Sequence, residues 1–362
     1  MRLPALLFAA AFALSLAAPA AANPRYSSRY GQKCLLCHED PGGGGMRSPY
    51  ASEFLVPNEI SMRGYDERSA ALLDHALSRS VSVGADMRTL ASYADKGTAP
   101  ENFFQMQGDV YLRFQLDARF SAYFERGVSG SYELWASGFV LPASGYFKIG
   151  RFTPPYGWRL EDHTAFVRES LGYFTPPAHT DVGIEIGFLP GASSLAFAAM
   201  NGAPGALRDS DDSRTYFVRA ERRIRIGSAR IAVGGSFLED DGNRVCDRAG
   251  GPFASATLGR LTWVGECDWR RDASGEATAF ASSHELAARI VRGLDLVATF
   301  DFVDPDQGAR TGARRRAGIG VDALPFPFLG TLAMVNFHDT DGGADVPSEE
   351  FVETLLLFHI FY

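Results

Sequence analysis

Two cysteines and a histidine near the amino terminus carry the clearest chemical signal in this sequence. Cys34, Cys37 and His38 form a C-x-x-C-H motif. Two thiols at this spacing can form thioethers with both vinyl groups of one porphyrin, and the adjacent imidazole can bind the iron as proximal ligand. A zinc half-site has similar spacing, but no second C-x-x-C completes one. The motif therefore predicts one covalent haem c.

The sixth iron ligand has three sequence candidates, Met46, Met62 and His75. We expect Met46, because it follows the glycines 42–45, where the chain can fold sharply round the porphyrin edge. Methionine opposite histidine raises the reduction potential, which suits a weak donor such as Fe(II). The alternatives are that Met46 packs on the porphyrin face, that Met62 and His75 are ordinary packing residues, or that the position is open or filled from elsewhere in the chain.

The first 22 residues read as a secretory signal peptide. Arg2 precedes an apolar run from Leu3 to Leu16, and Ala20 and Ala22 fit a small-residue cleavage site, so Asn23 is the expected mature start. Covalent haem attachment is an extracytoplasmic process, so the signal agrees with the motif. No later apolar run reaches the roughly 18 residues of a membrane helix.

Composition indicates a large folded unit of 362 residues, 46% of them hydrophobic, with 38 glycines and a net charge of −8. The negative charge argues against a nucleic-acid partner. Cys246 and Cys267 remain outside the haem motif. They form either a disulfide or two free thiols, and the sequence leaves both possibilities open.

From about residue 81 onward the apolar residues alternate with polar ones. In the run 106–116, Val110 and Phe114 fall on one face, whereas Asp109 and Tyr111 fall on the other. Similar runs recur at 181–189, 230–238 and 295–302, separated by polar turns of alternating length. This period of two is typical of a membrane β-barrel with a lipid-facing and a lumen-facing side. A soluble β-sandwich would show the same alternation.

The fold class predicted is therefore an all-β transmembrane antiparallel barrel. About 280 residues at roughly 32–40 per hairpin give 14 to 16 strands. The domain scheme is a signal peptide at 1–22, a haem segment at 23–80 that plugs the lumen or its periplasmic mouth, and a barrel at 81–362. Within the haem segment we expect a short helix from Asp66 to Ser80, with Asp66 as its cap.

Weaker polar clusters allow two interpretations each. Arg222, Arg223 and Arg225, and the run 314–316, either line the lumen or lie at interfaces and in loops, and we favour the second. The segment 152–180 contains Glu161, Asp162 and His163. It either folds inward as a constriction or offers carboxylates to a metal, or its polar residues are solvated, which we favour.

This architecture resembles the fused cytochrome–porin proteins of iron-oxidising bacteria. The resemblance rests on Cys34, Cys37 and His38, on the barrel pattern, and on the terminal strand ending in Phe361 and Tyr362, which looks like the closing strand of bacterial barrels. The stretch 148–157 also looks like part of phosphate-selective-type porins.

The resemblance implies an outer-membrane electron conduit. Electrons would pass between an extracellular redox species, with Fe(II) as the type donor, and a periplasmic electron-carrier cytochrome, in either direction, with outer-membrane lipid around the barrel. Fe(II) oxidase activity is then possible. The alternative function is a passive porin in which the haem segment is a structural or gating plug. A soluble periplasmic cytochrome is a third possibility.

Overall fold

The computed structural model describes residues 24–96, 101–128, 130, 132–160, 162, 164–171, 180–206, 208–209, 212–242, 248–271, 277–309, 312–342 and 347–362. The predicted signal peptide, Glu161, His163 and Cys246 fall outside these ranges. The predictions made for them, including the Cys246–Cys267 pairing, therefore remain predictions.

Sixteen strands in the described residues close into one antiparallel barrel, in which every strand pairs with its sequence neighbours and β1 pairs with β16. The predicted fold class and strand range are confirmed. The strands are β1 Val81–Ala94, β2 Glu101–Gln115, β3 Phe120–Gly127, β4 Tyr132–Leu141, β5 Gly145–Phe152, β6 Asp181–Phe188, β7 Ser193–Met200, β8 Thr215–Ile226, β9 Ala229–Asp240, β10 Arg248–Leu258, β11 Leu261–Arg271, β12 Thr278–Val291, β13 Leu294–Asp304, β14 Arg314–Phe326, β15 Leu329–Thr340 and β16 Glu349–Phe361.

The barrel is closed by the first and last strands. Their register pairs Asp86 with Phe361, and the terminal Tyr362 exchanges two backbone hydrogen bonds of 2.7 Å with Ala85. Closure leaves no unpaired sheet edge, which is the condition for a sheet inside lipid.

The two faces of each strand have opposite chemistry, as the period of two predicts. On β2, Val110 and Phe114 are exposed on the outside, whereas Asp109 and Tyr111 are buried on the inside. Exposed apolar side chains recur on the outer face of most strands. An outer belt of this kind is stable only against lipid. Among the described residues, no helix has the length and apolarity that a membrane crossing requires.

Connections alternate in length around the barrel. Tight turns such as Gly227–Ser228 join the strands at the end where β1 begins and β16 ends, and long connections lie at the other end. Short turns face the periplasm in barrels of this type. The longest connection, residues 153–180 between β5 and β6, is called here the constriction loop and contains helix α5, Phe166–Leu171.

Residues 24–80 fill the lumen as a plug. The plug contains helices α1 Pro24–Tyr30, α2 Cys34–Cys37 and α4 Glu67–Ala70, a π-helix α3 at Tyr50–Ile60, and a 3₁₀ turn at Ala71–Leu73. Helix α1 packs inside β9, β10 and β11. Leu55, Val56 and Ile60 of α3 pack against Leu324 and Phe361 of the wall.

The helix expected from Asp66 to Ser80 is shorter than predicted. Asp66 does cap it, accepting the backbone N–H of Ser69 at 2.8 Å, but helical structure ends at Leu73. The chain turns there because Ala76 forms a β-bridge with Ser82 ahead of β1. Leu72 and Leu77 are exposed.

Candidate functional site in the barrel lumen

Helix α2 sets the spacing of the C-x-x-C-H motif. It is a single turn, Cys34–Cys37, and the N–H of His38 donates to the carbonyl of Cys34 at 3.0 Å. One helical turn brings residues three apart onto the same side, so both thiols face the same space. Burial raises the pKa of both thiols, to about 11 for Cys37, and keeps them protonated at neutral pH.

The motif borders a cavity between the plug and the constriction loop that is partly open to solvent. Apolar side chains of α3 form one part of its lining and three guanidinium groups another. The side chains that line the cavity include Tyr26, Lys33, Cys34, Cys37, His38, Arg47, Leu55, Val56, Ile60, Trp158, Arg159 and Arg219.

His38 has the environment of a neutral imidazole with a nitrogen to offer. Burial, together with the nearby Arg47 and Arg159, lowers its pKa to about 4. Its Nδ1 is buried and has no hydrogen-bond partner among the described residues, whereas the Gly45 backbone hydrogen bonds to the ring. A metal ligand must be deprotonated and have a free lone pair.

A glycine turn holds the motif against its own loop. Gly43 has a φ of +90°, which favours glycine, and a Cβ there would lie 3.2 Å from the Cβ of Cys34. At Gly44 a Cβ would lie 2.6 Å from Nε of Arg159. Glycine is therefore required both by the backbone and by the close approach of the motif and the loop. The sharp turn expected here is present.

Beyond the turn, the chain is anchored by buried ion pairs. Asp40 contacts Nζ of Lys148 on β5 at 3.1 Å and the guanidinium of Arg159 at 3.1 Å. Lys148 also pairs with Glu185 at 3.1 Å, and Arg159 with Glu133 at 3.1 Å. Burial opposes ionisation of Asp40, yet the two cations hold its pKa below the ordinary value. These contacts fix the loop after His38 to the wall.

The described part of the constriction loop folds into the lumen, as the constriction interpretation predicts, although the Asp162 side chain stays half exposed. The backbone N–H of Trp158 donates to Glu266 of β11 at 2.5 Å, and the Trp158 ring packs edge-on against Phe253 at 4.9 Å. Asp162 pairs with Arg316 of β14 at 2.5 Å. The loop folds inward because arginines of the wall bind its polar groups in place of solvent: Arg316 contacts Asp162, and Arg219 donates to the Gly157 carbonyl.

The predicted arginine clusters divide by strand alternation. Arg223 and Arg316 point inward and pair with Glu221 and Asp301. Arg222 points outward and donates to Ser193, and Arg315 pairs with acidic side chains at the loop end of β14. Neither the lumen interpretation nor the interface interpretation holds for a whole cluster.

The three sixth-ligand candidates lie away from the cavity. Met46 is buried against the wall with Tyr111 and Tyr123, and its N–H donates to Tyr123 Oη at 3.1 Å. Met62 lies at the periplasmic rim, where its N–H bonds to the Leu324 carbonyl. The ring of His75 is 5.2 Å from that of Tyr362. The structure brings Cys34, Cys37 and His38 together, but not these three.

The residues present fit a haem. Two thiols and a neutral imidazole share one cavity edge, and the α3 side is apolar. The guanidinium groups of Arg47, Arg159 and Arg219 can donate to the two propionate carboxylates of a haem. Haem, if attached, would be held by Cys34, Cys37 and His38. Sequence reasoning missed the three arginines and Trp158. Of these four, only Arg219 could have been found from the sequence, because strand alternation puts the odd-numbered residues of β8 on the lumen side.

Comparison with known proteins gives the fold. No protein-family model and no curated protein matches the sequence. Among solved structures, the chain is similar to an anion-selective porin from Comamonas acidovorans, with a TM-score of 0.58, 11% identity, and coverage of 78% of this chain and 99% of that one. It is also similar to OprB of Pseudomonas putida, with a TM-score of 0.59, 10% identity and 84% and 99% coverage.

A third similar structure is the outer-membrane protein OmpT of Vibrio cholerae, with a TM-score of 0.56, 10% identity and 80% and 100% coverage. The closed sixteen-stranded barrel and its apolar outer belt agree with these likenesses. The chain therefore has a porin-like β-barrel fold, and its place is the bacterial outer membrane.

Proposed function

We propose that this protein is a haem-bearing conduit for electrons across the outer membrane. The observation that carries the proposal is the position of the C-x-x-C-H motif, which borders a cavity inside the lumen of a membrane barrel. A hydrocarbon layer of about 30 Å insulates one side of the membrane from the other. A redox centre held within that layer shortens each electron step.

The side chains have separate tasks in this proposal. Cys34 and Cys37 hold the group covalently, and His38 orients it from a buried position that stays neutral at physiological pH. Arg47, Arg159 and Arg219 offset the negative charge of its propionates. The bound haem would supply one-electron exchange between Fe(III) and Fe(II).

The plug and the constriction loop flank this centre on two sides. Trp158 and Arg159 cover the cavity from the loop side, and α3 covers it with Leu55, Val56 and Ile60. The donor or acceptor on the outside is an extracellular redox species, with Fe(II) as the first to test, and a periplasmic cytochrome exchanges electrons at the other mouth.

A second candidate function is passage of small anions beside the plug. An open cavity lies at the periplasmic end between the plug and the β8–β9 hairpin, and Arg223, Arg225 and Arg230 line it. One of the similar barrels is an anion-selective porin. In this alternative the plug is structural or acts as a gate.

The test begins with isolated outer membranes, run on a denaturing gel with and without boiling and stained for haem. A stained band whose mobility shifts on heating supports the conduit, and a heat-shifting band without stain contradicts it. The protein is then placed in vesicles that contain a ferric c-type cytochrome, and Fe(II) is added outside.

We expect reduction inside with the wild-type protein and with the control variant Cys267→Ser, but not with Cys34→Ser/Cys37→Ser. Equal rates in all three would remove the conduit proposal. A large constitutive conductance in planar bilayers, together with unstained protein, would favour the anion porin.

A further inference from the structure

We infer that His38 is the only side chain this cavity supplies to the iron, among the residues that the structure describes, so that the sixth coordination position stays open to a small exogenous ligand. The inference rests on the proposed function, because it assumes that haem is attached. An open position would replace the coordination by Met46 that the sequence analysis preferred. The site would then bind small ligands as well as transfer electrons.

A short antiparallel ribbon of residues 37–39 and 46–48 places His38 and Met46 on opposite faces. His38 and Arg47 form a β-bridge, the Glu39 N–H donates to the Met46 carbonyl at 3.0 Å, and the Ser48 N–H donates to the Cys37 carbonyl at 2.9 Å. Bridge partners point their side chains to one face, and their neighbours point to the other. Met46 therefore faces away from His38.

The contacts on each face agree with this geometry. His38 and Arg47 line the cavity. On the opposite face Glu39 pairs with Arg113 of β2 at 2.7 Å, and Met46, only 2% exposed, packs on the neighbouring aromatic side chains of the wall. Moving the Met46 sulfur to the cavity would break the ribbon and the Glu39 ion pair together.

The other two sequence candidates are fixed at the periplasmic end of the barrel. Met62 lies beside the β12–β13 turn, where a Cβ on Gly293 would be 2.6 Å from its Cγ. The carbonyl of His75 accepts the N–H of Val83 at 2.8 Å, and its ring contacts the terminal Tyr362. Neither side chain is among those lining the cavity.

Three other cavity residues carry potential donor atoms, and all are engaged. Ser27 donates its hydroxyl to the Gln32 carbonyl at 2.7 Å. The Tyr26 ring lies with the guanidiniums of Arg25 and Arg29 each 5.5 Å from its centroid, and burial raises the pKa of its phenol, so no phenolate forms. Lys33 donates its ammonium to the Leu189 carbonyl at 2.9 Å. An ammonium has no lone pair to offer a metal.

The wall of the cavity indicates which ligands would enter. Arg47, Arg159 and Arg219 provide three cations, whereas Leu55 and Val56 make the α3 side apolar. Arg159 is paired with Asp40 and Glu133, and Arg219 with Glu221. A guanidinium has five N–H donors, so these arginines keep donors for a small anion even when they are paired. The expected class is therefore a small inorganic anion such as cyanide, azide or nitrite, together with uncharged diatomic molecules.

The experiment uses the full-length protein purified in detergent. Pyridine haemochrome absorbance first measures attached haem, and its absence would refute the proposed function itself. With haem present, we expect a high-spin ferric spectrum, saturable cyanide binding, and a carbon monoxide complex formed by the ferrous protein on mixing. Met46→Leu, Met62→Leu and His75→Gln should leave all three unchanged, as should the control Met334→Leu.

An arginine variant tests the charge argument. Arg219→Gln should weaken cyanide binding about tenfold, the loss of one hydrogen bond to a charged group, and should leave carbon monoxide binding unchanged. A low-spin spectrum that neither ligand perturbs would overturn the inference, and whichever of Met46→Leu, Met62→Leu, His75→Gln or Lys33→Ala abolished it would identify the sixth ligand.

Discussion

Individual ion pairs hold the plug inside the barrel. Arg29 makes a bidentate contact with Asp295 of β13, at 2.8 and 2.9 Å, and Arg25 contacts Asp322, Asp295 and Glu285. These arginines are buried, so their charges depend on the wall carboxylates. Removing one partner of a buried pair leaves a desolvated charge, which is costlier than losing an exposed pair.

Asp295→Ala should therefore lower the free energy of plug unfolding by about 3–5 kcal/mol. Urea titration, followed by trypsin cleavage at Arg25 and Arg29, measures this while the barrel stays folded. The control Glu239→Ala removes a half-exposed pair with Arg248 and should cost under about 1 kcal/mol. Equal losses in the two variants would argue that the plug is held by apolar packing.

A second residue-scale prediction concerns pH and the constriction loop. Partial burial opposes ionisation of Asp162, whose side chain is half exposed, but Arg316 and the hydroxyl and N–H of Thr164 lower its pKa below the ordinary value. A carboxyl with a depressed folded pKa stabilises the structure above its unfolded pKa, about 3.9. That stability is lost as the pH falls through the folded value.

The loop should therefore stay docked from neutral pH down to about pH 4 and detach below it. Pepsin cleavage within 153–171, followed from pH 5 to pH 2, measures the detachment. Asp162→Asn should show faster cleavage at pH 5 and a flatter pH profile. An unchanged profile in that variant would assign the pH response to other carboxyls.

At the scale of elements, the constriction loop depends on one tight backbone approach. Gly157 has a φ of +51°, and a Cβ there would overlap the Glu266 carboxylate on β11, whose Oε2 accepts the Trp158 N–H. Arg219 also donates to the Gly157 carbonyl at 2.9 Å. A side chain at this position must displace the loop from the wall.

Gly157→Ala should release the loop and make Arg159 accessible to trypsin, which we expect to raise the cleavage rate at least about tenfold. Gly191→Ala is the matched control, because Gly191 has a φ of +52° with open space around its Cβ position. Both variants carry the same backbone strain. If both behaved alike, strain rather than the approach to Glu266 would explain the result.

At the scale of the whole molecule, the outer belt sets the environment. Ile319 lies near the middle of β14, and its side chain is 52% exposed on the outer face. Ile319→Arg should reduce the free energy of folding into phospholipid by about 2–4 kcal/mol, the cost of arginine at the bilayer midplane. Ile319→Leu should change it little. A small loss with arginine would mean that lipid does not cover this face.

The sequence by itself determined the fold class, and it predicts the haem chemistry at Cys34, Cys37 and His38, which stays a prediction. The alternation on β2, β6, β9 and β13 predicted the barrel because lipid and lumen impose opposite polarity on neighbouring residues. The strand range followed from chain length. Spacing alone predicted haem attachment, because both thiols and the imidazole lie within one helical turn. Features that depend only on the spacing of nearby residues can be predicted from the sequence.

Only the tertiary structure decided what surrounds that motif. Met46 is eight residues from His38, yet the ribbon turns it to the wall, and spacing cannot reveal which face a bridge exposes. Trp158 and Arg219 reach the cavity from more than a hundred residues away. Arg219 projects inward from β8, and Trp158 lies on a loop whose inward path depends on Glu266 and Arg316. Such long-range contacts depend on strand register and on which strand lies opposite which across the lumen, and neither can be read from a local pattern.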